Sequence, residues 1–420
     1  MSINEDTTET AKRTGQTAPG AGAGAAAGQR APAAGAVLAA GKRLAALDAH
    51  RGLIMVLMAI DHASFFIART HSQEFWGAAL PAYPDALWFW TRWITHLCAP
   101  GFAFLMGMGM VLLAAARTKA GWTPHQIRRF FINRGLLMIA LQFLIEDPAW
   151  ILGVLTTAPG AWSQRGEMPG GGSMVMIHVG VLFSLGAGMV FWSFFLRAAN
   201  WFIGALGLAA VLITQLAMPG PARIGELYSP FVRLLLIPGH TNALQVLYPV
   251  IPWLGASALG LLVGRGLLHD TKRTMRLSGW ASAALMATFV AVRITGGFGN
   301  LNEVPPGLMG FLTVVKYPPS LAFLSITLGI NLLAVAQWHR LEPFLGNRSN
   351  PLLVFGQSAL MFYLVHLWAY ALLGLLFRSG GSLAQMYGMW LVGLAILYPI
   401  CRRYNSFKRT TPVTSLWRFF

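Results

Sequence analysis

The sequence predicts an all-α, polytopic membrane protein with about ten transmembrane helices in one bundle, and three observations carry that prediction. Hydrophobic residues make up 55% of the 420 and charged residues only 11%, against about 25% charged in a soluble domain, and mean hydropathy is +0.57. Apolar runs of about 20 residues, the length that crosses a bilayer, recur from residue 50 to residue 401 with short polar breaks between them. The Lys and Arg residues collect in alternate breaks, as the positive-inside rule requires.

Taken in order, residues 1–41 are rich in Ala, Gly and Thr and are expected to form a disordered cytoplasmic tail. No charged segment there runs straight into an apolar core, so the tail does not read as a signal peptide. Residues 42–404 form the transmembrane domain and 405–420 a cytoplasmic C-terminal tail. The spans fall at roughly 50–69, 86–116, 131–146, 174–196, 201–218, 246–266, 277–295, 318–337, 351–374 and 384–401. The second is long, and Pro100-Gly101 predicts a break in it. With the N-terminus in the cytoplasm, about two-thirds of the 31 Lys and Arg residues fall on the cytoplasmic side. Arg128-Arg129, Lys272-Arg273 and the tail Arg402-Arg403 are among them, and both termini are then cytoplasmic. The outside loops 146–173, 219–245 and 296–317 are longer and rich in Gly, Pro and Trp. They either cover an outward-facing pocket or simply connect spans.

The net charge of +17 does not point to nucleic acid, because the charges sit in short loops rather than on one basic face. Cys98 and Cys401 lie in apolar segments and imply no disulfide framework. There is no phosphate-binding Gly-rich loop, no H-E-x-x-H and no C-x-x-C. No metal site and no permanently bound cofactor are expected.

Ionisable residues inside spans are costly and mark a pathway or a reaction centre. Arg51 and His62 are eleven residues apart in the first span. That is close to three helical turns, so they share a face about 16 Å apart along the axis. His62 is either a base that removes a proton from an acceptor hydroxyl or amine, or a hydrogen-bonded structural residue. Asp61 points about 100° away from His62 and is better placed to pair with an arginine on another span. Arg92 and His96, at i and i+4, share a face just before Pro100-Gly101; His96 is a site residue or a polar group that satisfies the broken helix. Tyr363 and His366, at i and i+3, form either a polar cluster in the bundle interior or a helix-to-helix hydrogen bond. Lys316 precedes Tyr317-Pro318-Pro319 and falls outside unless that segment re-enters the membrane. Arg128, Arg129, Arg134, Arg265, Lys272 and Arg273 cluster at cytoplasmic edges, where they hold phosphates or enforce topology.

The run Arg43-Leu-Ala-Ala-Leu-Asp48-Ala-His-Arg51-Gly52-Leu followed by Asp61-His62 resembles the start of the heparan-alpha-glucosaminide N-acetyltransferase-like membrane proteins. Arg92 to Gly107, Pro252-Trp253, Gly260 to Gly266, Lys316 to Leu328 and Phe355 to Leu367 are similar to a bacterial branch of that family. The resemblance implies a bacterial inner-membrane acyltransferase that moves an acyl group, acetyl in the better-known members, from cytoplasmic acyl-CoA to a sugar or glycoconjugate acceptor on the periplasmic side. It implies His62 as general base, helped or replaced by His96, with Asp61 in the same centre. Arg51 and Arg134 would lie near the CoA phosphates, with Arg92, Lys316, Tyr363 and His366 as further substrate contacts. Its partners would be the bilayer, acetyl-CoA or another acyl-CoA, and the acceptor; the oligomeric state is left open. In one respect the chain departs from the eukaryotic enzymes: aligned on Pro100, their upstream histidine falls near Ala86.

Two rival readings remain open from sequence. A small-molecule transporter would use the same intramembrane polar residues as a substrate or proton pathway. A non-catalytic scaffold predicts that His62, His96 and His366 point to separate interfaces.

Overall fold

The computed structural model describes residues 34–161, 176–220, 228–241, 243–341 and 349–412, together with 223, 226, 347, 415 and 417. Of the expected disordered N-terminal tail at 1–41, residues 1–33 lie outside the described residues, and 34–41 are helical as the start of the first helix. The helices are α1 (Ala34–Ala63), α2 (Ala86–Trp93), α3 (Cys98–Lys119), α4 (Pro124–Leu141), α5 (Asp147–Leu155), α6 (Val181–Phe195), α7 (Asn200–Ala217) and α8 (Pro230–Leu235). They continue as α9 (Val250–His269), α10 (Thr271–Thr295), α11 (Gly307–Leu312), α12 (Leu321–Ala336), α13 (Trp338–Leu341), α14 (Pro351–Gln357), α15 (Ala359–Gly374) and α16 (Leu383–Thr410).

Among the described residues, eight helical stretches are long and apolar enough to cross a membrane. α6 and α12, with 15 and 16 residues, are apolar but shorter, so the expected count of ten is not reached on length. Several spans begin where the sequence supplies a side-chain cap. Asp85 accepts the Trp88 N–H at 2.9 Å ahead of α2. Thr123 and Gln126 make a capping box ahead of Pro124 in α4, and Ser382 and Gln385 make another for α16.

The second span is interrupted before Pro100 rather than at it. Residues Ile94–Leu97 form a 3-10 turn, and Pro100 lies in the first turn of α3. Proline has no N–H for the carbonyl four residues earlier, here that of His96, so the preceding turn tightens. The expected ninth span is also broken, with α14 and α15 separated at Ser358.

α3 packs along α9, α10 along α12, α4 along α6 and α7 along α9. Water expulsion does not hold helices together within lipid, so close van der Waals approach must. Small residues permit it: a Cβ at Gly260 would run into the Phe104 carbonyl, and one at Gly356 into the Asp48 carbonyl. Outside the spans lies a small sheet of β1 (Ile177–Val179), β2 (Gly239–His240) and β3 (Leu244–Val246), in the order β1-β3-β2. β1 runs parallel to β3, with His178 opposite Gln245, and β2 runs antiparallel.

Candidate functional site

Three segments converge where α1 ends. α1 gives way to a π-helical turn at Ser64–Ala68, a departure that often accompanies function. The chain then reverses at Arg69, whose φ is +51°. The fully buried Arg69 guanidinium donates to the carbonyls of Gly153 at 3.0 Å, Gly374 at 2.8 Å and Phe377 at 3.2 Å. It thus holds the ends of α5 and α15 together and fixes the start of the loop. The loop at 70–84 folds inward: the Lys316 and Tyr317 N–H groups donate to the Glu74 carbonyl at 2.9 and 3.1 Å, and Trp76 N–H donates to the Tyr317 carbonyl at 2.9 Å. His71 and Glu74 are buried as a result.

Arg92, near the end of α2, lies at the centre. It donates to Asp61 at 2.5 Å through Nη1, and to both oxygens of Glu74 through Nε at 2.9 Å and Nη2 at 2.7 Å. The planar guanidinium matches a carboxylate in this forked way. Tyr83 adds a 3.1 Å hydrogen bond to Glu74. Burial alone would push the Glu74 carboxyl up, but Arg92 and His96 hold it well below the usual carboxylate range. His96 Nε2 lies 3.3 Å from Glu74 Oε2 without the alignment of a hydrogen bond. Asp61, on a different face of α1 from His62, is therefore paired with an arginine of the next span.

A cavity of about 350 Å³ opens on this cluster, lined among others by Asp61, His71, Tyr83, Trp88, Thr91 and Arg92. His71 Nδ1 lies 3.8 Å from Asp61 Oδ1 and has no hydrogen-bond partner. Burial pushes the His71 imidazole down to about 4; Asp61 pulls the other way, and the Arg92 and Lys316 cations offset it. At neutral pH His71 is an uncharged base beside a carboxylate.

His62 does not line this cavity. Its Nδ1 lies 2.6 Å from His366 Nε2, and His366 Nδ1 lies 3.1 Å from the Phe362 carbonyl. A carbonyl only accepts, so His366 carries its proton on Nδ1 and accepts at Nε2. His62 then donates from Nδ1, which leaves a lone pair on Nε2. These tautomers follow from the hydrogen-bond network. The His62 ring also meets Trp150 edge-on at 5.0 Å, and the His71 ring lies 6.3 Å from the same indole.

The other expected site residues fall into three places. Tyr363 and His366 surround His62, with ring centroids 6.4 and 4.8 Å away. Arg51 and Arg134 lie near one another, about three turns of α1 away from His62. Arg51 is tied at 3.1 Å to Asp48 and to the Gly356 carbonyl, while the Arg134 Nε is buried without a partner. Arg265 caps the turn between α6 and α7, donating to the Leu196 and Ala198 carbonyls and to Asn200, so a phosphate is not needed to account for it. Lys316 joins the main cluster: its backbone is bonded to Glu74 and its charge bears on Asp61, His62, His71 and His96. His62, His96 and His366 thus do not all meet. His62 and His366 form one pair, and His96 stands with Glu74.

Sequence reasoning missed His71 and Glu74, which sit in a loop without helical periodicity. The polar run Arg69-Thr70-His71-Ser72-Gln73-Glu74 directly after a span was the available signal. His71 also bears on the departure noted above. A histidine does enter the site from the segment before Pro100, but from a different place in the loop than an alignment without gaps suggests.

Fold and site together define a polytopic α-helical membrane protein with a buried, charge-balanced polar centre that opens to a small cavity. The family described as heparan-alpha-glucosaminide N-acetyltransferase, catalytic, matches residues 43–293. The chain belongs to this family. The match takes in Arg51, Asp61, His62, His71, Glu74, Arg92, His96 and Arg134 and ends before Lys316 and His366. No curated protein matches the chain.

Proposed function

We propose that the protein transfers an acyl group, acetyl in the family's own reaction, from cytoplasmic acyl-CoA to an amine or hydroxyl of a sugar or glycoconjugate that enters from the periplasmic side. The observation that carries this reading is the cavity that brings His71, Asp61 and Arg92 together on a buried wall. Its size suits a small polar ligand, and Tyr83 and Trp88 offer ring faces against which the C–H face of a sugar can pack.

In this reading His71 takes the proton of the attacking amine or hydroxyl, and Asp61 stabilises the imidazolium that forms. Arg92 does not contact substrate; its guanidinium is used up in holding Asp61 and Glu74. His62, oriented by His366, is the second base of the centre, set behind the cavity wall. Arg51 and Arg134 receive the CoA phosphates at the other end of α1, where the unpartnered Nε of Arg134 is free to donate. The charge bias of the loops supports cytoplasmic termini, an inner-membrane location and donor entry from the Arg51 side.

The test uses the full chain in detergent with acetyl-CoA as donor and glucosamine as acceptor. Wild type should bind acetyl-CoA saturably and release CoA on addition of glucosamine. His71→Ala should keep the binding and lose about 10²- to 10⁴-fold of the rate, and Arg134→Ala should weaken the binding. A folded wild type that binds no acyl-CoA would sink the proposal and return the transporter reading.

A further inference from the structure

Each buried arginine of this region has hydrogen-bond acceptors of its own, and Lys316 differs from them. Arg92 satisfies two carboxylates, Arg69 three carbonyls, and Arg293 the carbonyls of Gly310, Phe311 and Thr313 together with Asn300. Lys316 is as deeply buried, at 2% exposed. Among the described residues its ammonium has no carboxylate within ion-pair distance and no hydrogen-bond acceptor; the neighbour it does have is the Tyr317 ring, at 5.1 Å. An ammonium has three donors and a large desolvation cost, and an unpaired one works against the fold. Its charge nevertheless falls on Asp61, His62, His71 and His96, and on the neighbouring Cys98. The backbone bond from Lys316 to Glu74 holds it there.

We propose that Lys316 is the oxyanion-stabilising residue of the reaction, a preorganised cation that faces the negative charge developing on the acyl carbonyl oxygen. The inference rests on the acyl-transfer reading above. The acceptor nitrogen or oxygen attacks the thioester carbon and forms the new bond while its proton passes to His71. The carbonyl electron pair moves onto oxygen, opposite the Lys316 ammonium. Collapse reforms C=O and breaks the C–S bond, and the leaving thiolate takes the proton from His71 as CoA departs. Charge balance favours this assignment. Arg92 is engaged by Asp61 and Glu74 at rest, with the histidines neutral, and of these two cations Lys316 is the one with donors free when a new negative charge appears. A fixed donor of this kind acts where charge develops in the transition state rather than on the ground-state substrate.

The experiment compares wild type, Lys316→Met, Lys316→Arg and Arg92→Met, each as full-length protein in detergent with acetyl-CoA and glucosamine. Rate of CoA release, equilibrium binding of acetyl-CoA and melting temperature are measured on each. Lys316→Met should lose about 10²- to 10³-fold in kcat, keep acetyl-CoA binding within about twofold, and melt no lower than wild type because an unpaired buried charge is gone. Lys316→Arg should recover part of the rate. An unchanged kcat in Lys316→Met overturns the proposal. So does a fall in its melting temperature as large as that of Arg92→Met, which would make Lys316 a structural ion-pair partner. Absence of CoA release by wild type strikes the acyl-transfer reading itself and takes this proposal with it.

Discussion

His62 Nδ1 lies 2.6 Å from His366 Nε2, and the two imidazoles stack with centroids 4.8 Å apart. The pair joins α1 to α15 with both rings buried, and the Phe362 carbonyl fixes its tautomers. Truncating either ring leaves the other with a buried, unsatisfied nitrogen, at roughly 1–3 kcal/mol. His62→Ala and His366→Ala should each lower the melting temperature, and the double variant should cost clearly less than the sum. A double-mutant cycle measures this directly; strict additivity would mean that the rings do not share a proton.

Arg92 is the residue whose loss should hurt most. Arg92→Met leaves Asp61 and Glu74 buried without the guanidinium that pairs them, a change that costs roughly 3–5 kcal/mol. Adding Glu74→Gln should restore part of the stability, because one uncompensated charge is removed. Thermal unfolding in detergent reads both variants. A double variant no more stable than Arg92→Met would argue against the buried ion pair.

Transfer should depend on pH through His71. The reaction needs its neutral form, and burial pushes that imidazole down to about 4. The His71-dependent part of the rate should therefore be flat around neutrality and fall only as pH drops toward about 4. A decline centred near 6.5, the value of an ordinary histidine, would place a solvated histidine in the role instead.

Acid should also weaken the fold. His71 and His178 both have imidazoles pushed by burial from 6.5 to about 4. Between those values the unfolded chain binds protons that the folded chain does not, so stability is fully present above about 6.5 and is lost as pH falls toward 4. The melting temperature in detergent should fall across that window, and His178→Gln should flatten part of the fall.

The helix crossings give a prediction independent of chemistry. A methyl group at Gly260 or Gly356 would meet a facing carbonyl, so Gly260→Ala and Gly356→Ala should both reduce folded yield. Gly388→Ala, where nothing lies within 4 Å of the added carbon, should not.

The class of protein, the approximate place of most spans and the polar residues of the first two were legible in the order of amino acids. Hydropathy, caps and loop charge are local quantities, and a bilayer makes them decisive because every buried backbone group must be satisfied within its own helix. The same locality explains what could not be read. Helical spacing shows that Asp61 and His62 face different ways, but not that one meets Arg92 and the other His366, across 31 and 304 residues of chain. Pro100 announced a break, but the missing N–H moved it one turn earlier, to Ile94–Leu97. His71, Glu74 and Lys316 belong to segments without periodicity, and the 70–84 loop turns inward only in the packed fold. It does so because Arg69 anchors the start of that loop and the Glu74 carbonyl is bonded to Lys316 and Tyr317, contacts set by packing between distant spans rather than by any local preference of the chain.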